Sequence, residues 1–354
     1  MRQGTSLNKD DVPESSGESM RINPFRSPFV FNSQKILFSI ALFLALCISS
    51  VKAQSSEPFP SKPIRLIVGF APGGGSDFIA RIAAQKLTQK LGQPVIVENR
   101  PGAGGNLAAE YALKSDNDGY TLLLISNSYA VNANIYKLPF NPIKDITPIA
   151  KLAEGPFIVA ANPRIGVNNL NDFVELAKKN PGTLTYASAG NGSVTHMATE
   201  YFVNTANIQV LHIPYKGTSP ALTDTMSGQV QIMFGSVAST APHVKSGKLL
   251  ALAVTTPERL TAFPDTPTIK ESGFPDYEVT VWHGVIGPKG IPESIAIKLN
   301  RAINDAFRDP ALDKQLLAEG LKPISETPQQ FGELISNEIQ QWNALVKSKK
   351  MTIH

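Results

Sequence analysis

Apolar runs and helical stripes alternate along the chain from about Pro58 onward. Residues 64–70, "IRLIVGF", form a continuous branched-rich run of the kind buried on both faces of a sheet. Behind it Ile79, Ile82, Ala83 and Leu87 share one helical stripe, closed by Gly92 and Pro94. "PVIVEN" predicts the next strand, "NLAAEYALKS" a helix and "YTLLLIS" another buried strand. After a loop, residues 157–163, "FIVAANP", read as a strand, and "LNDFVELAKKNPG" reads as a helix with a polar start and a Pro-Gly stop. "LTYASAGNGS", "VQIMFGS" and "LLALAVTT" predict further strands with helical segments between them. This βαβ order predicts an α/β chain with mainly parallel sheets. The end of the chain changes character. "PESIAIKLNRAINDAFRD" and "TPQQFGELISNEIQQWNALVKS" are both helical, the second with Phe331, Leu334, Ile335, Ile339, Trp342 and Val346 on a broad stripe. No repeat, heptad array or low-complexity segment interrupts the pattern.

The start of the chain stands apart. Residues 36–51, "ILFSIALFLALCISSV", are apolar, follow Arg21, Arg26 and Lys35, and precede the small-x-small pattern Val51-Lys52-Ala53. These are the three regions of a secretory signal peptide, with cleavage expected after Ala53 and Met20 as a plausible initiator. The apolar stretch is shorter than the roughly 18–20 residues of a spanning helix. Cys47, the single cysteine, lies inside it, so the mature chain has no disulfide, thiol nucleophile or cysteine metal site. That mature chain of 301 residues carries 27 Lys/Arg against 25 Asp/Glu and has no basic run. Its length suits two domains, and nucleic acid is not an expected partner. A soluble exported protein in the periplasm is expected.

Three glycine turns carry the candidate chemistry: "APGGGSD", "NRPGAGGN" and "ASAGNGSVTH". Each follows a predicted strand and opens a predicted helix. Glycine permits close approach, and a helix start presents unpaired N–H groups and the positive end of a dipole. Three such turns suggest a site that holds an anion with backbone donors and hydroxyls such as Ser76 and Ser193, at the carboxyl ends of strands. A nucleotide phosphate fits poorly. A Walker A loop needs a lysine after its last glycine, and Ser76-Asp77-Phe78 stands there instead. "GAGGNLAA" half matches a dinucleotide fingerprint, but the next strand ends at Ser126-Asn127-Ser128, with no acid for a ribose. No G-x-S-x-G elbow occurs, and no acid completes a triad with Ser193 and His196. The histidines form no i,i+4 ligand pair, so neither a metal nor a cofactor is expected.

These same phrases, with "DGYTLLL", "IPYKGTSPALTDTMSGQVQIMF" and "GKLLALAVTTPERL", resemble the Bug family of periplasmic solute-binding proteins, the receptors of tripartite tricarboxylate transporters. The resemblance runs collinearly from about Pro58 to Lys347. It implies a type II periplasmic binding protein: two Rossmann-like α/β lobes joined by two crossovers, closing on a ligand by hinge motion. Lobe one is expected at 58–162 and 282–354, and lobe two at 163–281. The implied ligand is a small carboxylate (a dicarboxylate, an amino acid or an aromatic acid), delivered without chemistry to inner-membrane transporter components by a monomer. The ligand-binding positions implied are Pro72, Gly73, Gly74, Gly75, Ser76, Asp77, Ser126 and Asn127 in lobe one. In lobe two they are Ala187, Gly190, Asn191, Gly192, Ser193, His196, Tyr215 and Lys216. Gly102 to Gly105, Ser128 and Gly217 would line the same mouth. Ser76 also suits a helix cap and Asp77 a helix dipole; Trp282 suits the core. The chain departs from the family at Gly235 and His283. There Gly235 is expected to widen the far end of the cleft, and both are expected to bear on ligand identity. A ligand sensor for a periplasmic signalling partner needs the same cleft, and an exported α/β enzyme is the remaining alternative.

Overall fold

The computed structural model describes residues 58–318 and 320–348. The expected leader, its cleavage point and Cys47 lie outside the described residues.

The first apolar run forms β1 (Ile64–Val68), which pairs in parallel with β2 (Val95–Asn99) and β3 (Thr121–Ser126). The glycine turn after β1 opens α1 (Gly75–Leu91), whose stripe of Ile79, Ile82, Ala83 and Leu87 is buried as its spacing predicts. Gly92 ends that helix at φ 71°, a left-handed conformation that costs glycine little. The helices α2 (Asn106–Leu113) and α3 (Ser128–Ile135) follow β2 and β3. A second half repeats the plan after α4 (Leu170–Lys179). There β5 (Thr185–Ser188) pairs in parallel with β6 (Leu211–Pro214) and β7 (Ile232–Ser236). The helices α5 (Val194–Ala206), α6 (Thr218–Ser227) and α7 (Val237–Lys245) follow these three strands in turn.

Two long strands join the halves. The 16-residue β4 (Ile146–Ala161) pairs antiparallel with β9 (Thr280–Pro288) as far as Pro156. From Phe157 it pairs with β7 and β8 (Leu250–Val254) instead. β9 also lies antiparallel to β3. The strand path β2-β1-β3-β9-β4-β7-β5-β6 is therefore mixed rather than mainly parallel. A strand that enters one half from the other runs against the βα units already there. The loop expected before Phe157 is likewise strand from Ile146 on. Pro148, Lys151 and Glu154 interrupt its apolar pattern, yet Lys151 is buried there because its ammonium meets the Glu154 carboxylate at 2.8 Å.

The last three helices, α8 (Glu293–Phe307), α9 (Pro310–Ala318) and α10 (Pro328–Ser348), return to the first half, with β10 (Lys322–Pro323) beside β4. On α10, Phe331, Ile335 and Trp342 are buried, and Leu334, Ile339 and Val346 half-buried. The Phe331 ring occupies the space a side chain at Gly284 on β9 would need. Trp282 is core, as expected: it is buried, with its ring edge-on to Phe331 at 5.5 Å.

The core of the second half is aromatic around Tyr277, whose ring lies 5.0 Å from Tyr201 and 6.2 Å from Phe202. Its hydroxyl donates to the Ala198 carbonyl at 2.9 Å, fixing the approach to β9 against α5. Tyr277→Ala should cost about 3–5 kcal/mol, the scale for emptying a fully buried aromatic site. Tyr277→Phe should cost about 1 kcal/mol, the scale of one hydrogen bond. Urea unfolding midpoints separate the two, and equal losses would contradict a packing role for the ring.

Candidate functional site

Five helices begin at one cavity whose free space, open solvent included, is ≈ 400 Å³. Its wall holds Gly75 and Ser76 of α1, Ser128 of α3, Val194 and Thr195 of α5, Thr218 of α6, and Ser236 just before α7. With Ser126 and Ser193 the hydroxyls number seven, and Phe70, Phe157 and Val281 supply apolar surface. No Asp, Glu, Lys or Arg is among the lining residues. Positive potential here comes from backbone N–H groups and helix dipoles, so the wall suits an anion without supplying a cation.

The first glycine turn is shaped from behind. Gly73 has φ 84°, and Gly74 caps α1 without any side-chain bond, which leaves the helix start open to the cavity. Asp77 points away from it. Its carboxylate accepts from the Gly73 N–H at 2.9 Å, from Arg81 at 2.8 and 3.0 Å, and from the Asn99 amide at 3.0 Å. Burial works against its charge, but these partners, Arg81 foremost, outweigh burial and hold the carboxyl below its ordinary range. Ser76 lies on the wall with its hydroxyl 3.2 Å from the His283 Nε2. Burial lowers the His283 pKa to about 4.

The second-half turn has a ring stack for its support. Ser193 caps α5, accepting from the His196 N–H at 3.2 Å. His196 Nδ1 accepts from the Gly192 N–H at 3.3 Å, and its ring stacks 4.0 Å from His212. His212 stacks in turn on Tyr186 at 4.8 Å and meets the Ser188 hydroxyl at 2.6 Å. Burial lowers His196 to about 4; burial, with His196 alongside, lowers His212 to about 3.

The halves touch across the cleft through main chain as much as side chain. The Ala71 N–H donates to the Lys216 carbonyl at 3.0 Å, the Val194 N–H to the Ser128 hydroxyl at 2.9 Å, and the Tyr136 hydroxyl to the Asn191 carbonyl at 3.1 Å. A Cβ on Gly192 would collide with Asn132, Ile135 and Tyr136 of the opposite half.

Of the residues the sequence singles out, Gly74, Gly75, Ser76, Ser126 and Ser193 come together on the inner wall. Gly190, Asn191, Tyr215 and Lys216 line a wider outer mouth of ≈ 1130 Å³, with Phe70 and Ala189 common to both spaces. There the Tyr215 hydroxyl donates to Asp224 at 2.7 Å; burial, then Asp224, pushes its pKa up to about 12. Pro72, Gly73, Asp77, Asn127, Ala187, Gly192 and His196 are on neither wall. Asn127 donates to the Thr280 carbonyl at 2.7 Å, bracing the first half on β9. Gly235 is a correction. It is buried off the wall, and Thr240 Oγ1 fills the space its side chain would take, so it widens nothing. Phe70, Phe157, Thr195, Thr218, Ser236 and Val281 are wall residues that sequence reasoning missed. Ser236 and Thr218 had a usable signal, a hydroxyl at a predicted strand-to-helix turn.

An α/β chain in two halves, joined by two exchanged strands and closed over a cavity of helix starts, is a two-lobed type II binding protein. The chain belongs to the family described as tripartite tricarboxylate transporter family receptor, which its residues 79–351 match. It is 35% identical over 319 residues to Protein BugT of Bordetella pertussis, covering 89% of this chain and 98% of that protein. Among solved structures it is similar to the periplasmic binding protein BugD, with a TM-score of 0.80 and 32% identity, covering 83% of this chain and 99% of that one. A Rhodopseudomonas palustris protein with adipate gives a TM-score of 0.80 at 30% identity, covering 83% and 99%. MatC of the same organism, with bound malate, gives 0.78 at 32%, covering 81% and 100%. The Bug-family resemblance holds, and this chain is a solute-binding receptor rather than an enzyme.

Proposed function

We propose that this receptor is exported to the periplasm as a monomer, closes on a small carboxylate, and hands it to the membrane subunits of a tripartite tricarboxylate-type transporter. The observation that carries the ligand class is the cavity wall of five helix starts and seven hydroxyls without a charged side chain. Such a wall stabilises a carboxylate through N–H and O–H donors and offers no carboxylate to hold a cation. The malate and adipate in two similar structures support a dicarboxylate. Gly74, Gly75, Ser76 and Ser126 then act as the first jaw, and Ser193, Thr195, Thr218 and Ser236 as the second. We assign the hinge to the change of strand partners after Pro156 and to the start of β9 at Thr280, so lobe two runs from 157 to 279. The leader expected from the sequence supports export.

A thermal-shift screen of the mature chain tests the ligand class. Malate, adipate, amino acids and aromatic acids are compared with sugars and simple cations. A binder at a hundredfold excess over its dissociation constant adds about 2.7 kcal/mol and raises the melting temperature. Malate or adipate should do so. Stabilisation by sugars or cations alone would overturn the reading.

A further inference from the structure

His283 is the one imidazole on the cavity wall, brought there by β9, where it stands opposite Ser126 of β3 and Ala153 of β4. It is 2% exposed. Its Nε2 lies 3.2 Å from the Ser76 hydroxyl, while its Nδ1 is buried with no hydrogen-bond partner. Among the described residues the Ser76 hydroxyl has no other partner. A neutral imidazole carries one proton, on one of these two nitrogens. A proton on Nδ1 would leave a buried donor unsatisfied, whereas a bare lone pair there is the lesser loss. Burial, which lowers the pKa of the ring, keeps it neutral at pH 7.

We propose that His283 and Ser76 form a hydrogen-bond relay of fixed polarity: imidazole Nε2–H donates to the Ser76 oxygen, and the Ser76 proton is thereby committed to the ligand. This deepens the carboxylate-receptor reading and rests on it. With its oxygen engaged by His283, Ser76 presents a donor to the cavity, at the positive start of α1. The ligand group at this corner is then best an oxygen acceptor, a carboxylate or keto oxygen, and an ammonium, which could use only the second Ser76 lone pair, is disfavoured. The site thus favours dicarboxylates and oxo acids over α-amino acids that would turn their amine to this corner. His283 acts as a positioning residue through Ser76.

Two measurements on the mature chain test the relay. Nitrogen-15 NMR of the histidine rings, with His283 assigned by its absence in His283→Gln, should give the Nε2–H tautomer in the free protein; the Nδ1–H tautomer would overturn the relay whatever the ligand. Calorimetry with malate and adipate then follows the variants. His283→Gln sets an amide N–H near the position of Nε2 and should retain affinity. His283→Phe keeps the ring without a donor and should lose about tenfold, an effect absent when Ser76 is already Ala. Wild-type affinity in His283→Phe would overturn the relay and leave the receptor reading intact. If neither acid binds the wild-type chain, the receptor reading for dicarboxylates fails, and the tautomer alone decides the relay.

Discussion

Gly75→Val should raise the dissociation constant for a bound carboxylate by about 100-fold while leaving a folded protein. A Cβ at Gly75 would stand 2.7 Å from the Ser236 hydroxyl oxygen and 2.9 Å from its Cβ. Gly75 and Ser236 belong to opposite halves and meet at the cavity wall, one opening α1 and the other preceding α7. The backbone at Gly75 is not among those with positive φ, so the substitution strains contact rather than conformation. On the hinge motion proposed above, that overlap exists only while the lobes are together and is relieved when they part. Overpacking costs about 1–3 kcal/mol, and a branched side chain belongs at the top of that range, which corresponds to about 100-fold in affinity. Calorimetry with malate reads the loss, and a circular-dichroism melt checks the fold. Ser236→Gly removes both atoms that collide. The double variant should therefore bind no worse than Ser236→Gly alone, a non-additive result expected only of residues in contact. Wild-type affinity in Gly75→Val would mean that the lobes do not meet there when ligand is held.

Acid should destabilise the protein at a pH well above the carboxylate range. His196 and His283 are buried, and burial lowers each to about 4. In the unfolded chain both return to an ordinary value of about 6.5. Their contribution to stability is whole above that value and is lost as the pH falls towards about 4, because the unfolded chain takes up protons that the folded chain refuses. Each contributes a slope of about 1.4 kcal/mol per pH unit below 6.5, or about 2 kcal/mol by pH 5. His212 acts in the same sense, weakened by its partly exposed edge. Asp77, with its carboxyl held low, adds a further loss only at pH below about 4. Melting midpoints from pH 7 to 4.5 should therefore fall steeply. Exchanging all three histidines for glutamine should flatten the profile. A flat profile in the wild-type chain would show that these rings charge freely in the fold.

The strand-turn-helix units and the glycine turns between them were legible in the chain because they are local. An apolar run, three glycines and a helical stripe predict β1, its turn and α1 from near neighbours, and Ser76 and Ser193 fall on the cavity wall as that grammar implies. Asp77 was ambiguous for a physical reason. A carboxylate in a first turn settles the dipole or faces a ligand with the same sequence, and only Arg81 and Asn99 decide between them. The early part of β4 was hidden because burying Lys151 requires a partner, Glu154, that a hydropathy pattern counts against a strand.

The sequence by itself determined what is set within a few residues: strand runs, helix starts, and backbone donors bare enough to meet an anion. Tertiary structure decided everything that joins distant positions. Ser76 and His283 are 207 residues apart and meet at 3.2 Å because β9 crosses back beside β3. Gly235, which the sequence suggests as room for a ligand, is filled by Thr240. The physical reason is that helix dipoles and glycine conformations are local properties, while a cavity wall and its hydrogen-bond polarity depend on which strands the fold lays side by side.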